Sequence, residues 1–203
     1  MILRGFVQAG GGSTRFGVDK ALAQIAGRSM LQRTAELLAS VCEDVTVVAS
    51  VGKYGGAGWP LLADGWPGEG PLGGILTALS TMQKGEPHGV WGMNVSCDMP
   101  FLTKEFLTFL RERASASKAK VVVPQSANGL EPLCACWRGS SAADVRLAFD
   151  SGVRKVTEAM KRLPMEVLDE TVWKRFDTSG RLFWNMNTAT DFEQARRILE
   201  TRD

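Results

Sequence analysis

The sequence has few of the residues that build disulfide frameworks and zinc sites. There are four cysteines and one histidine among its 203 residues. The cysteines form no C-x-x-C pair and stand in apolar stretches, which is typical of reduced core thiols in a cytosolic protein. They are Cys42, Cys97, Cys134 and Cys136. The histidine, His88, is flanked by proline and glycine, and this predicts a solvated turn residue rather than a catalytic base.

Long apolar runs and an excess of one charge are also missing. No stretch reaches the roughly 18 apolar residues expected of a membrane-spanning helix, and the apolar run within residues 1–9 is too short for a signal peptide. Lys and Arg number 24 against 22 Asp and Glu, so the formal net charge is only +2. A protein held to nucleic acid through phosphate contacts needs a larger basic excess. We therefore expect a cytoplasmic protein that binds neither membranes nor nucleic acid.

The residue composition is typical of one globular domain. Hydrophobic residues make up 44% of the chain and charged residues 23%. A chain of this length buries roughly 70% of its unfolded surface, so it needs no disulfide or metal to fold. No internal repeat and no linker-like segment interrupts it. We expect a single domain over residues 1–203.

Strand-like and helix-like patterns alternate along most of the chain. Apolar or β-branched runs predict strands at residues 2–9, 45–49, 61–63, 89–97, 121–124, 130–137 and 166–168. Helical spacing predicts helices at residues 30–41, 72–82, 142–149 and 153–163, a helix after Thr103, and a last helix opened by Thr190 and Glu193. The turn at residues 128–129 predicts a hairpin between its two flanking strands. This alternation predicts an α/β fold with a mainly parallel sheet and ligands at the carboxyl ends of its strands.

A glycine-rich turn with two cations lies at residues 8–20, where the sequence is Q-A-G-G-G-S-T-R-F-G-V-D-K. Backbone N–H groups of such a turn can surround phosphate oxygens, while Arg15 binds two oxygens at once and Lys20 supplies a mobile point charge. The segment predicts a phosphate site, with a plain surface turn as the alternative. It is neither a dinucleotide fingerprint nor a P-loop, because Arg15 occupies the third glycine position and Val18 stands where a P-loop needs lysine.

This segment resembles the A-G-G-x-S-x-R-x-G-x-x-K loop of the MobA family, the molybdenum cofactor guanylyltransferases. Every fixed position of that loop is filled, by Ala9, Gly10, Gly11, Ser13, Arg15, Gly17 and Lys20. Four further motifs follow in the order of the family. They are Asp64 with G-P-L-G-G-I at 70–75, C-D-M-P-F-L at 97–102, E-P-L at 131–133, and N-M-N-T at 185–188 followed by Asp191.

The resemblance implies a three-layer, Rossmann-like nucleotidyltransferase fold and a Mg²⁺-dependent reaction. Enzymes of this family transfer GMP from GTP to the terminal phosphate of molybdopterin, which forms the guanine dinucleotide cofactor and releases pyrophosphate. Such a transfer brings anions together, so the site must spread positive charge over the triphosphate, and no protein nucleophile is required. The resemblance also implies contact with molybdenum-insertion or cofactor-delivery proteins.

Residue roles follow from the matching motif positions. The catalytic group would be Arg15, Lys20 and Asp98, with Asp98 as the Mg²⁺ ligand because this ion prefers one or two carboxylates beside water and phosphate. The nucleotide would lie against Gln8, Ala9, Gly10, Gly11, Gly12, Ser13, Lys20, Asp64, Pro71, Leu72, Gly73 and Asp98. The acceptor would lie against Arg15, Glu131, Asn185 and Asn187. Turn formation by Asp64, and structural hydrogen bonding by Glu131 and the two asparagines, stay open as alternatives.

Two positions depart from the family pattern. Gln8 stands where leucine is usual, and we expect it to contribute backbone groups only. Ser50 follows the second strand where an asparagine often contacts the nucleotide, which puts one base or ribose contact in doubt. Trp66, in the glycine- and proline-rich loop at residues 64–71, could stack on a ring but is expected to be a packing residue.

Three other functions remain compatible with these residues. The chain could be a cytidylyltransferase that forms the cytosine dinucleotide cofactor, or a guanylyltransferase for another small phosphorylated acceptor. It could also be a nucleotide-binding switch of P-loop type, which would hydrolyse GTP to GDP and orthophosphate.

Overall fold

The computed structural model describes residues 1–10, 19–82 and 89–201. Ten strands are present within these ranges: β1 Ile2–Gln8, β2 Gln24–Ile25, β3 Arg28–Ser29, β4 Asp44–Ala49, β5 Leu61–Ala63, β6 Val90–Ser96, β7 Val121–Ser126, β8 Gly129–Leu130, β9 Cys134–Arg138 and β10 Met165–Leu168. The described helices are α1 Met30–Ala39, α2 Pro71–Met82, α3 Lys104–Ala116, α4 Ala142–Asp150, α5 Val156–Met160, α6 Glu170–Trp173 and α7 Ala189–Glu200. Short 3₁₀ turns lie at Lys20–Leu22, Gly139–Ser141 and Lys174–Phe176.

The central sheet has the strand order β10-β7-β9-β6-β1-β4-β5, with β8 paired to β7 beside this path. Within the path, β9 pairs antiparallel with both β6 and β7, and the remaining pairs are parallel. All residues of β6 are buried, as expected of a central strand covered on both faces. The predicted α/β fold with a mainly parallel sheet is confirmed.

Two apolar layers cover the sheet, one on each face. Helices α1 and α3 pack on one face, where Leu31 and Phe106 are fully buried. Helices α2 and α4 pack on the other face, where Ile75 and Val145 are buried. Side chains alternate across the sheet along β1, so that Val7 joins the first layer and Phe6 the second. The arrangement is the three-layer architecture expected for the chain.

The helix starts predicted from capping patterns are confirmed for α1 and α3 but wrong for α7. Ser29 forms a capping box with Gln32 at α1, and Thr103 accepts a hydrogen bond from the backbone of Phe106 at α3. The N-cap of helix α7 lies two residues before the expected cap, Thr190. Thr188 is its N-cap, because the Asp191 carboxylate accepts from the backbone N–H of Thr188 and completes a capping box there.

The predicted strand at residues 130–137 is two strands rather than one. Strand β8 forms the expected hairpin with β7, whereas β9 inserts between β7 and β6. The break falls at residues 131–133, where Pro132 has no N–H to donate to a ladder. Backbone bonds from Glu131 to Pro124, and from Cys134 to Glu131, redirect the chain there.

Three smaller elements differ from the sequence prediction. The helix expected at residues 153–163 is limited to the five residues of α5. The ribbon of β2 and β3 and the single turn of α6 were not predicted, because elements of two to four residues carry too little periodicity to detect.

The cysteines agree with the expectation of reduced core thiols. All four cysteines are free, and Cys97, Cys134 and Cys136 are buried in the core. In the described parts of the chain, no helix combines the length and the apolar character needed to cross a membrane.

Candidate active site

The candidate site forms where the carboxyl ends of β1, β4 and β6 meet. Parallel pairing places Gln8, at the end of β1, level with Val48 on one side and Ser96 on the other. The backbone N–H of Ala9 continues the ladder to the Val48 carbonyl at 3.0 Å. The glycine segment therefore leaves β1 directly beside the residues that follow β6. The predicted site residues Gly11, Gly12, Ser13 and Arg15 lie outside the described residues.

At Lys20 the chain is again close to this edge of the sheet. It is the first residue of the 3₁₀ turn Lys20–Leu22, which Asp19 caps by accepting from the backbone N–H of Ala21 at 3.1 Å. Burial raises the pKa of the Cys97 thiol to about 12, and the charge of Lys20 acts in the opposite direction. The Lys20 ammonium therefore lies within electrostatic range of the residue that precedes Asp98.

Asp98 presents a buried carboxylate oxygen at the centre of this edge. Its Oδ1 atom is inaccessible to solvent and has no hydrogen-bond partner within the described ranges. A buried carboxylate oxygen is costly unless a donor or a cation satisfies it, so this atom fits a Mg²⁺ ligand. The described residues contain no group of three or more His, Cys, Asp or Glu side chains that could hold a metal. A single carboxylate beside nucleotide phosphates is nevertheless sufficient for Mg²⁺.

Glu131 stands next to Asp98 on the other side of the site. It is only 7% exposed, and Ser126 donates a hydrogen bond from Oγ to its Oε1 atom at 2.6 Å. Burial raises the pKa of Glu131, the bond from Ser126 opposes this, and the charge of Asp98 raises the pKa further. The E-P-L motif therefore lies within electrostatic range of Asp98.

The N-M-N-T motif is held against the same aspartate by backbone contact. The N–H of Met186 donates to the Asp98 carbonyl at 2.9 Å, which places Asn185 and Asn187 beside it. Asn185 Nδ2 donates to the Phe183 carbonyl at 3.4 Å, and the backbone N–H of Asn187 donates to Asp191 at 2.9 Å. The side chain of Asn187 belongs to an exposed residue. The backbone of the N-M-N-T motif therefore lies against Asp98.

Asp64 has the contacts of a turn residue in this structure. Its Oδ1 atom accepts from the backbone of Trp66 at 3.0 Å and from the Thr77 hydroxyl at 3.1 Å. These bonds tie the loop at residues 64–70 to helix α2. The structural alternative left open for Asp64 is thus realised, and the carboxylate is half-buried at the loop.

The first turn of α2 can offer backbone groups to a ligand. Leu72 is fully buried in the core, so its side chain cannot contact a nucleotide. A nucleotide could therefore reach only the backbone of Leu72. Pro71 is exposed at the helix start. At Gly73, an added Cβ would lie 3.0 Å from the carbonyl oxygen of Trp66, so a side chain there would require the loop to shift by a few tenths of an ångström.

Gln8 uses its side chain inside the protein. Its Nε2 atom donates to Asn94 Oδ1 at 2.6 Å. A Cβ added at Gly74 would lie 2.3 Å from Gln8 Oε1. Gln8 is 7% exposed. The side chain joins β1, β6 and α2, so only the backbone of Gln8 can face a ligand, as expected from the sequence.

Trp66 is a packing residue, as predicted. Its ring centroid lies 5.6 Å from that of Phe149, and the Arg146 guanidinium lies 5.4 Å from the Trp66 centroid. The neighbouring Glu69 pairs with Arg154. The loop before α2 is therefore anchored to α4 and the residues that follow it.

Sequence analysis missed one residue at the site, Tyr54. Its hydroxyl lies 3.1 Å from the Ala9 carbonyl oxygen and 2.8 Å from Asp19 Oδ2. A sequence signal did exist, since Tyr54 is the only tyrosine of the chain and stands among closely spaced glycines after β4. At Ser50, the backbone carbonyl accepts from Lys53 and begins the loop that carries Tyr54.

Comparison with known proteins agrees with this geometry. The family model described as "MobA-like NTP transferase domain" matches residues 5–163. A molybdenum cofactor guanylyltransferase of Rhodopseudomonas palustris is 33% identical over 95% of this chain and 91% of its own length. A protein of the same name from a Bradyrhizobium species is 30% identical over 98% of this chain and 95% of its own.

Solved structures share the fold. Molybdopterin-guanine dinucleotide biosynthesis protein A from Archaeoglobus fulgidus superposes with a TM-score of 0.82 at 23% identity, over 98% of this chain and 99% of that one. A 2-C-methyl-D-erythritol 4-phosphate cytidylyltransferase from Thermus thermophilus superposes with a TM-score of 0.68 at 14% identity, over 98% of this chain and 100% of that one. A transferase family disfavours the nucleotide-switch alternative. The family match, the near full-length relatives and the shared fold show that this chain is a nucleotidyltransferase of the MobA-like NTP transferase family.

Proposed function

We propose that the protein transfers GMP from GTP to the terminal phosphate of Mo-molybdopterin and releases pyrophosphate. The names of relatives about 30% identical over nearly the whole chain support this substrate pair. The observation that carries the chemistry is the buried Oδ1 of Asp98, which has no hydrogen-bond partner among the described residues and lies at the sheet edge near Glu131 and the N-M-N-T motif.

Asp98 would hold Mg²⁺ in this proposal, with nucleotide phosphates and water as the other ligands. The ion supplies positive charge where the triphosphate and the acceptor phosphate approach each other. Lys20 would add a second positive charge on the opposite side of the phosphates. Arg15 and the amides of the glycine segment would complete the set, together with Asp64 and the backbone of Pro71 to Gly73 on the nucleoside side.

The acceptor would lie on the side of Glu131, Asn185 and Asn187. Amide and carboxyl groups suit the many donors and acceptors of a pterin ring. Molybdenum-insertion or cofactor-delivery proteins are the partners that this acceptor would require.

The choice of base is tested by calorimetric titration of GTP, CTP, ATP and UTP, each with and without Mg²⁺. We expect GTP to bind most tightly and its affinity to increase with Mg²⁺. Because a cytidylyltransferase shares this fold at a TM-score of 0.68, the fold alone does not select the base. A preference for CTP would assign the cytosine branch, and no nucleotide binding would overturn the proposal.

The metal assignment is tested with Asp98→Asn, which keeps the shape of the side chain but weakens its affinity for a divalent cation. We expect the Mg²⁺ concentration that supports half-maximal GTP binding to rise by about tenfold or more. Asp144→Asn is the matched control. Asp144 lies on α4, away from the carboxyl ends of the strands, and pairs with Lys120, which precedes β7. An unchanged Mg²⁺ titration in Asp98→Asn would remove this residue as the ligand.

A further inference from the structure

The loop between β4 and β5 carries a tyrosine in a conformation that needs support from its surroundings. Tyr54 has φ +60°, in the left-handed region that residues with a Cβ rarely adopt. Gly52, two residues earlier, has φ +83°, so the chain turns sharply before the tyrosine. Backbone strain of this kind persists only where other contacts hold it, and such residues are concentrated at functional sites. The contacts of the Tyr54 side chain therefore indicate what the loop is for.

The Tyr54 hydroxyl lies between the two ends of the glycine segment. It is 3.1 Å from the carbonyl oxygen of Ala9 and 3.0 and 2.8 Å from the two carboxylate oxygens of Asp19. The hydroxyl has one proton, and the charged Asp19 is the stronger acceptor. Desolvation and the bond to Asp19 raise the pKa of Tyr54, so the phenol remains a donor at neutral pH.

Asp19 transmits this contact to the next residue. Its Oδ1 atom caps the 3₁₀ turn that begins at Lys20, and its Oδ2 atom also pairs with Lys53 Nζ at 3.2 Å. The orientation of the Asp19 carboxylate thus sets the direction of the 3₁₀ turn, and with it the position of the Lys20 backbone. A lysine side chain is a mobile point charge, so its effect on phosphates depends on a fixed backbone origin.

We propose that Tyr54 is a positioning residue that acts through Asp19 to hold Lys20 against the phosphates of the bound nucleotide. This inference rests on the proposed nucleotidyl transfer, because the phosphates are those of its substrate. It assigns a function to the β4–β5 loop, which contributes no group from the recognised motifs of the chain.

A double-mutant cycle on the full chain tests the inference, with calorimetric affinity for Mg²⁺–GTP as the readout. Tyr54→Phe removes only the hydroxyl and keeps the ring in the core, so the variant should fold, which thermal melting verifies. We expect it to weaken Mg²⁺–GTP binding by about tenfold, the scale of one hydrogen bond to a charged group. In a Lys20→Ala background the same change should weaken binding by less than about twofold, since Tyr54 acts through Lys20.

The control is Val51→Ala in the same loop, whose side chain is 85% exposed and should leave affinity within about twofold of the wild type. An equal loss from Tyr54→Phe with and without Lys20 would show a merely structural role and overturn the inference. Wild-type affinity in Tyr54→Phe would overturn it as well. These outcomes leave the proposed function intact, whereas a wild-type protein that binds no nucleotide would overturn both.

Discussion

At the scale of single residues, the site separates groups that bind ligands from groups that hold the site together. Asp98 has a buried oxygen with no hydrogen-bond partner within the described ranges, whereas Asp64 and Asp19 have carboxylates occupied by donors from the protein. All three aspartates stand beside recognised motifs in the sequence. Only the structure shows which of these carboxylates already accept hydrogen bonds from the protein.

Lys20→Ala tests the charge argument for transfer. We expect the transfer rate to fall by about a hundredfold or more, the scale of removing one contact to the charge of the transition state. The melting temperature should stay close to that of the wild type, because the residue is partly exposed. Lys118→Ala, at an exposed position before β7, is the control for the loss of one positive charge. Near-normal turnover in Lys20→Ala would remove this residue from the mechanism.

Glu131→Gln tests the burial of a carboxyl group beside Asp98. Because burial raises the pKa of Glu131 above its unfolded value of 4.5, the folded state binds the proton more tightly. Wild-type stability should therefore fall as the pH rises from 4.5 through the raised folded pKa. The glutamine carries no charge and keeps an acceptor for Ser126, so the variant should melt at a higher temperature than the wild type near neutral pH.

This difference should disappear as the pH falls below 4.5, where the carboxyl is protonated in both states. Melting curves across this pH range measure it in the ligand-free protein. Glu112→Gln, at an exposed position on α3, is the control for the loss of one carboxylate. A pH-independent difference for Glu131→Gln would contradict the assigned pKa direction.

At the scale of elements, buried polar contacts fix how strands and helices meet below the site. Gln8 bonds across to Asn94 on β6 and fills the space beside Gly74 on α2. The two residues of this bond are 86 positions apart in the chain, so no local pattern could have shown it. The periodicity of the sequence predicts most strands and helices. The Gln8–Asn94 contact, in contrast, depends on the order of the strands in the folded sheet.

Gly74→Ala tests the close approach of α2 to β1. An alanine normally stabilises a helix relative to glycine by about 1 kcal/mol. Here the added Cβ would lie 2.3 Å from Gln8 Oε1, so the buried Gln8–Asn94 bond must break or the helix must move. We expect a net destabilisation of about 1–3 kcal/mol in chemical denaturation.

Gly56→Ala is the control, because nothing lies within 4 Å of its Cβ position. Its free energy of unfolding should change by less than about 0.5 kcal/mol. A stabilised Gly74→Ala variant would show that Gln8 can vacate this space without cost.

Threonines at the start of α7 test the corrected helix boundary. Thr188→Ala removes the N-cap hydroxyl that accepts from Asp191 N at 3.1 Å, so the free energy of unfolding should fall by about 1 kcal/mol. Thr190→Ala changes a position inside the first turn, where alanine has the higher helix propensity, and it should be neutral or slightly stabilising. The reverse order in urea denaturation would restore the sequence-based boundary at Thr190.

At the scale of the whole molecule, parallel strands bring motifs that are distant in sequence to one edge. The sequence located Asp98 correctly, because an apolar run that ends in an aspartate marks the carboxyl end of a strand. It could not place Tyr54, whose partners Ala9 and Asp19 are 45 and 35 residues away. Nor could it show that Leu72 is a core residue, because its helix is hydrophobic on most of its surface. Motif order therefore supplied candidate site residues, and the structure supplied the contacts among those that it describes.

The most direct test of the central claim is transfer from GTP labelled at the α-phosphate to Mo-molybdopterin in the presence of Mg²⁺, with the Asp98→Asn variant in parallel. The account predicts label in the dinucleotide cofactor and an equal amount of pyrophosphate, with both products strongly reduced in the variant. Release of GDP and orthophosphate without acceptor labelling, or faster transfer from CTP than from GTP, would contradict it.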